Sequence, residues 1–559
     1  MKAFLQHHRL TLTPLSPIHI GCGEDFEPTN YVIDEGLLFG FDPSHAALAP
    51  HQRQALLDLA NRASLLGLQR FFRDHAEVFK PYAQVIMPVS AGVNEKYQSH
   101  IGRAVNLEAN GNQVFNRFMI ERASYTGAQQ WPYVPGSSFK GALRTGILDA
   151  LNHKKPAQSG DSNTRGQVDS ARLEKRLLEG DFSSSPLRLL KIGDFMPATE
   201  PERRVMYAVN RKKKEVLVQG SEVQAKGIAA RKESILHGQY RAFAAEAVLQ
   251  LLPEQRSGKD LPAARLRPAD FKQIAQSTNS YHEPRLRQEL KLLSERHFLN
   301  SDWDKSILGL LNGELGQRMA SGEVMLVRLG RYGGAECKTL SGNGVAQIKI
   351  MQGKGMKPLL LGSTKTVWLA AEHENEHKHL LPFGWALVEI DPQGDWPTLQ
   401  AWCREYAPKH PGMAQLRSCL AAKKAQAELL RAELAQHAAA SAAAAQAQEL
   451  ERQERQKALD ALPGNLKTVR TFSHECVQQR DLIVGGNFKK QAPDPGRSPL
   501  YRKAQELVQQ ALASSSTWSA DEKASLADAI EQSLAAVISP WEPKEQRKKF
   551  KLAALRGQT

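Results

Sequence analysis

Between residues 414 and 460 the chain reads AQLRSCLAAKKAQAELLRAELAQHAAASAAAAQAQELERQERQKALD. No other stretch constrains the fold as strongly. Alanine, glutamate, lysine and arginine all favour helix, and at this density they specify a long, solvent-exposed one. The central AAASAAAA offers no large apolar side chain, so no continuous coiled-coil seam runs through it. The segment is a tether or strut, and the sequence on either side must build its own core.

Upstream, the pattern is mixed. Residues 8–20, HRLTLTPLSPIHI, alternate apolar and polar positions and read as a strand ended by Pro14 or Pro17. NYVID and GLLFGFD read as a hairpin. Helical spacing follows from Pro50 to about Val78, again after Gly141, from Tyr240 to Leu252 and over 283–299. LRLLKIGDF, GEVMLVRL, VAQIKIM, TKTVWLA and GWALVEI are strand candidates and RRVMYAVNRKKKEVLVQG is a basic hairpin-like segment, while 153–185 is polar, with KKPAQSGDSNTRGQ at 154–167 expected to be a disordered loop. Strands and helices do not alternate regularly, so split βαβ units of the α+β class fit better than a doubly wound sheet. The expected division is 1–235 and 236–400 as two α+β domains, 401–464 as helical linker and 465–559 as a helical module. In that module Ser519 and Glu522 form a capping-box pattern ahead of Leu526, Ile530 and Leu534.

The 559 residues carry a formal net charge of +15, with pI about 9.4. That balance points to a polyanionic partner, nucleic acid before membrane surface. No apolar run has transmembrane length, and the first residues do not read as a signal peptide. The cysteines Cys22, Cys337, Cys403, Cys419 and Cys476 are odd in number and widely spaced, which suits a reducing, cytoplasmic setting.

Three glycine turns carry the candidate chemistry. The most specific is YVPGSSFKGALRT, with Gly136, Ser137, Ser138, Phe139, Lys140, Gly141 and Arg144. Ser137 or Ser138 is expected to cap a helix whose first N–H groups face an anion. Lys140 and Arg144 are four apart and are expected to share a helix face and clamp a phosphodiester. A nucleotide P-loop requires glycine, lysine and then a hydroxyl residue. Here Lys140 precedes Gly141 and Ala142, so that assignment fails. The second turn, SPIHIGCGED, contributes Gly21 and Gly23. Its His19 is a candidate general base, although a lone histidine at a strand end is more often structural. The third, VRLGRYGGAECKTL, contributes Arg328, Gly330, Arg331, Gly333, Gly334 and Lys338, with Tyr332 placed to stack on a base. Arg203, Arg204, Arg211, Lys212 and Lys213 form a basic run suited to phosphate contacts. His19 and Cys22 lack a second ligand pair at zinc spacing, HENEHKH at 373–379 has no ligand spacing, and no metal or cofactor is expected.

These turns, in this order, resemble the RAMP superfamily of CRISPR–Cas RNA-binding proteins. SPIHIGCGE is similar to its N-terminal motif and PGSSFKGALR to its most specific signature, while KIGDF, LGRYGGAECKT and LPFGW match weaker downstream motifs. HIGCGEDFEPTNYVID most resembles the subunit that caps the 3′ end of the guide RNA in type III-A (Csm) effector complexes. The resemblance implies ferredoxin-like, RRM-related folds and a guide-RNA-binding subunit. It also implies target RNA, backbone RAMP subunits, small helical subunits and a large signalling subunit as partners. In the backbone subunit an aspartate after the N-terminal motif cuts target RNA. Here Thr29 or Asn30 stands near that position and Asp34 is displaced into a strand, which implies a non-catalytic subunit. The alternatives are a metal-independent endoribonuclease that processes precursor guide RNA with His19 as base, or an RNA-binding scaffold.

Overall fold

The computed structural model describes residues 4–558, apart from 108–112, 116, 165, 182, 220, 226, 252–269, 343–344, 346, 352–354, 408–412, 463, 487 and 514–515. It forms two compact units, Met1–Glu428 and Leu429–Thr559.

The first unit is α+β and is organised by two six-stranded sheets. One has strand Leu5–Pro14 at its centre, paired antiparallel with Phe243–Gln250 on one side and Trp385–Ile390 on the other. Leu10 faces Ala245 across the first ladder and Ile390 across the second. Val324–Arg328 completes that side against Trp385–Ile390. At this edge the sheet is covered on both faces. Along Val324–Arg328 every residue is buried, with Met325 and Val327 entering one apolar cluster and Val324 and Leu326 the other. The period-2 alternation of side chains thus serves two cores rather than core and water. The second sheet runs in the order Gly21–Phe26, Ile120–Ala123, Ala230–Ile235, Arg203–Lys212, Thr366–Ala371, Leu381–Pro382. Both sheets draw strands from either side of residue 235, so the expected 1–235 and 236–400 segments interleave.

Helix Gly136–Lys154 packs Phe139, Leu143, Ile147 and Leu148 into the core beneath the first sheet. It lies against helix Phe271–Glu295 closely enough that a β-carbon on Gly146 would stand 2.9 Å from the Thr278 Cα. The first helix therefore has one fixed depth, and its N-terminal turn is set by packing rather than by a loop.

Several local expectations are corrected. The stretch expected as a helix over 240–252 forms strand Phe243–Gln250, because its alternating residues Phe243, Ala245, Ala247 and Leu249 are all buried; Leu252 lies outside the described residues. The polar segment 153–185, whose residues 154–167 are expected to be a disordered loop, also contains helix Ser170–Leu178. Leu173, Leu177 and Leu178 bury its apolar face, and Asp169 caps it through the Ala171 and Arg172 N–H groups. The helix expected at 283–299 begins earlier, at Phe271, capped by Asp270.

Helix Met413–Asp460 is continuous, and residues 428–458 are exposed throughout. The second unit is helical, with Phe472, Tyr501, Leu526, Ile530 and Phe550 among its buried residues. The Ser519–Glu522 capping box forms as expected. Among the described residues no helix is long and apolar enough to cross a membrane.

Candidate nucleic-acid interface

The three glycine turns, each more than a hundred residues from the next in sequence, line one open cleft of about 790 Å³. The N-terminal turn supplies Gly21 and Gly23, the helix Gly136–Lys154 supplies Ser137, Ser138, Gly141 and Arg144, and the third turn supplies Arg328, Gly330, Arg331 and Lys338. Two close approaches between backbones bring them together. A β-carbon on Gly136 would stand 2.3 Å from the Gly193 carbonyl oxygen, in KIGDF. Gly330 has φ of 76°, and a β-carbon there would stand 2.2 Å from the His19 carbonyl oxygen. That carbonyl accepts the Arg331 N–H at 3.0 Å.

The helix start differs from expectation. Pro135, not a serine, occupies the N-cap position, and neither Ser137 nor Ser138 caps through its side chain. Asp194 accepts the Gly136 N–H instead, at 2.7 Å. The carboxylate of KIGDF thus fills the first anion position at the helix terminus, a relation that no local pattern near residue 136 reveals. Ser137, Ser138 and Gly141 are left facing the cleft. Phe139 is buried against Phe195 and faces the core.

Lys140 and Arg144 do not form a clamp. The Lys140 Nζ donates to the Leu190 carbonyl at 2.7 Å, and burial with nearby Lys191 lowers its pKa. Arg144 lines the cleft, but its Nε donates to Glu174 Oε1 at 2.8 Å and Nη2 pairs with the other carboxylate oxygen. Glu174 comes from the helix Ser170–Leu178.

Arg331 and Lys338 are exposed at the cleft. Arg331 pairs with Glu121; Lys338 has no ion pair among the described residues. Arg328 is held inside the wall, its Nη1 2.7 Å from Glu289 and its Nε donating to the Phe383 carbonyl at 3.0 Å. The wall also contains Arg122, which the sequence patterns did not single out. Its guanidinium lies over the Phe26 and Tyr125 rings at 4.3 and 4.0 Å, and is 3.6 Å from Glu24. Glu24, Asp25 and Glu121 also line the cleft, so its field is cationic but patterned.

His19 is buried, with Nδ1 2.7 Å from the Glu233 carbonyl and Nε2 3.7 Å from Glu121. Burial lowers its pKa. A ring enclosed in this way orients the first turn and is out of reach of an RNA hydroxyl, which favours the structural reading of His19 over the general-base alternative. Burial raises the Glu121 pKa less than Lys232, Arg331 and His19 lower it, so this carboxyl remains a carboxylate below the usual range.

The basic run 203–213 is also reassigned, because none of its members lines the cleft. Arg203 is buried, donating to Glu233 Oε1 and the Gln130 carbonyl, both at 2.8 Å. Arg204 reaches Glu372 at 2.6 Å, Arg211 the Glu376 carbonyl, and Lys213 pairs with Glu336; Lys212 is half-buried. A strand with alternate residues facing a core puts its cations where carboxylates must neutralise them. Asp34 ends strand Tyr31–Asp34 and receives the Lys80 Nζ at 2.6 Å. Among the described residues no cluster of histidine, cysteine or acidic groups could hold a metal ion.

A cleft lined by glycines, serines, arginines and a lysine offers backbone donors and positive charge to an anion. Residues 11–252 match the RAMP superfamily. It is similar to the CRISPR system Cms protein Csm5 of Methanocaldococcus jannaschii, with 26% identity over 186 residues, 32% of this chain and 40% of that protein. It is also similar to Csm5 of Mycobacterium tuberculosis, with 26% identity over 169 residues, 28% of this chain and 43% of that protein. The matches thus span about two-fifths of the length of these relatives. Among solved structures, T. onnurineus Csm5 aligns over 68% of this chain and 99% of that one, at 14% identity and TM-score 0.37. A chain of a type III-A Csm–crRNA–target RNA ternary complex aligns over 69% and 100%, at 15% identity and TM-score 0.33.

Proposed function

We propose that this protein is a non-catalytic RAMP subunit of a type III CRISPR effector, in which it binds guide RNA at its 3′ end. The convergence of the three glycine turns on one cleft carries the reading. The similarity to Csm5 proteins supports the subunit class. The two-sheet unit is consistent with paired ferredoxin-like folds with insertions, and the working location is the cytoplasm. Guide and target RNA, backbone RAMP subunits, small helical subunits and the large signalling subunit are its proposed partners.

The phosphate contacts are assigned to Arg144, Arg331 and Lys338, with the Ser137–Ser138 and Gly141 backbone lining the approach. Arg122 and Arg328 hold the wall. The cleft needs no metal for this role, because backbone binding requires only donors and positive charge. Endoribonuclease activity has lost its base with the burial of His19.

The test is a titration of the full chain with single-stranded guide RNA at several salt concentrations. Arg331→Ala with Lys338→Ala should weaken binding and lower the salt slope by roughly 1 to 2, because each phosphate contact on a single strand contributes about 0.7. Unchanged affinity and slope would reject the cleft as the RNA site.

A further inference from the structure

Beyond the phosphate cations the cleft continues. Arg331 and Lys338 line both it and a second cavity of about 450 Å³. The second cavity is walled by Tyr332, Trp368, Gly333 and Gly334, with Glu336 and Thr364 among its polar groups. Tyr332 is backed by the buried Phe383, with ring centroids 5.2 Å apart, and lies 5.3 Å from Trp368 at 43°. Both Tyr332 and Trp368 are half-buried, so each ring keeps an accessible portion. Tyr332 adopts φ of 69°, a left-handed conformation that disfavours every side chain here but glycine, asparagine or aspartate. Three glycines lie within two residues of it, yet this position carries a large aromatic. The local strain is tolerated because the ring is held by packing on Phe383 and Trp368, and such strain concentrates at ligand sites. Gly333 and Gly334 line the cavity without adding side chains to it.

Resting on the RNA-binding reading above, we infer that this second cavity is a nucleobase subsite, in which an unpaired base of the bound strand stacks on Trp368 and Tyr332 while its phosphate stays with Arg331 and Lys338. The spacing suits the chemistry. A ribonucleotide carries its charge and its π-face a few ångströms apart, and a single strand exposes both. A duplex would not enter, because its bases are stacked on each other. At the polar edge the Thr364 hydroxyl lies 3.1 and 3.2 Å from the Glu336 carboxylate oxygens and 2.9 Å from the Thr366 carbonyl, and Lys213 pairs with the same carboxylate.

The experiment uses the full chain and a set of short single-stranded RNAs, each carrying 2-aminopurine at a different position. Stacking quenches its fluorescence. Quenching at one position or two adjacent ones is expected, with loss of that quench and about tenfold weaker binding in Trp368→Leu, the loss of one base–aromatic stack. Trp368→Phe should restore most of both, which separates stacking from a folding defect. Binding without a quench at any position, or a quench equal in Trp368→Leu, overturns the subsite and leaves RNA binding standing. Failure of the unaltered chain to bind any of these RNAs overturns the functional reading and this inference together.

Discussion

Gly330 lies against His19 so closely that the first and third glycine turns share one backbone contact: the absent β-carbon would be 2.2 Å from the His19 carbonyl oxygen. Left-handed backbone at Gly330 adds a second reason for glycine. Gly330→Ala should therefore cost about 2 kcal/mol or more of stability, combining left-handed strain with displacement of the contact. It should also weaken RNA binding, by moving Arg331 off the cleft wall. Gly141 makes the contrast. It is an exposed position inside a helix, and its β-carbon would meet open space. Gly141→Ala should stabilise by about 0.5–1 kcal/mol. Urea melts and RNA titrations on both variants check the pair, and equal destabilisation would refute the assigned roles.

Arg144 is held by Glu174 in a two-point pairing of the kind an arginine makes with a phosphate. A phosphodiester approaching the cleft must displace that carboxylate. Glu174→Gln should therefore tighten RNA binding, by about 2- to 10-fold at low salt, with little change in stability because Arg144 is nearly half exposed. Arg144→Ala should weaken binding. If Glu174→Gln weakens it too, the carboxylate positions the arginine rather than competing for it.

The motifs were legible because they are local: glycine, serine and cation patterns mark where backbone turns tightly. The alanine-rich helix and the Ser519–Glu522 cap were legible for the same reason. What the sequence hid was pairing. Nothing near Lys140 shows that the Leu190 carbonyl will take its ammonium. Nothing near Arg203 shows that Glu233 waits on the adjacent strand. The run FAAEAVLQ was read as a helix because alanine, glutamate and leucine favour helix locally. Its alternation between a buried and a more exposed face decided for strand.

Arg203 and Arg331 should accordingly behave in opposite ways. Arg203→Ala leaves Glu233 buried without its partner, and removing one member of a buried pair costs roughly 3–5 kcal/mol. Arg331→Ala removes an exposed cation whose ion pair is worth about 1 kcal/mol or less. Thermal melts should separate the two clearly, while at temperatures where both are folded only the Arg331 variant should lose RNA affinity.

Acid should weaken the first unit before its carboxylates protonate. His282 is buried and His237 half-buried, and desolvation lowers their pKa values to about 3 and about 4. In the unfolded chain both titrate near 6.5. The unfolded state therefore binds more protons between those values, and the stability present above pH 6.5 is lost as pH falls toward the folded values. By pH 5 each should cost on the order of 1–2 kcal/mol. Urea midpoints between pH 7.5 and pH 5 measure the slope. His282→Phe should flatten it, and an unchanged slope would assign the acid sensitivity to other groups.

The long helix should tolerate being cut at one place and not at another. Leu420 is buried with Phe41, Phe71, Phe72 and Phe79, and Leu416 packs against the same cluster. Arg417 pairs with Glu200 at 2.5 Å. The first turns of this helix thus belong to the first unit's core, whereas residues 428–458 bury nothing. Removing residues from 410 onward should expose that aromatic cluster and destabilise the remainder by roughly 2–5 kcal/mol, the scale of a lost large apolar core contact. Ending the chain at 428 should leave a stable unit that binds RNA as the full chain does. If the helical second unit docks on other subunits of an effector, the chain ending at 428 will bind guide RNA but change subunit stoichiometry in the assembled complex. Unchanged stoichiometry and guide length would remove that role from residues 429–559.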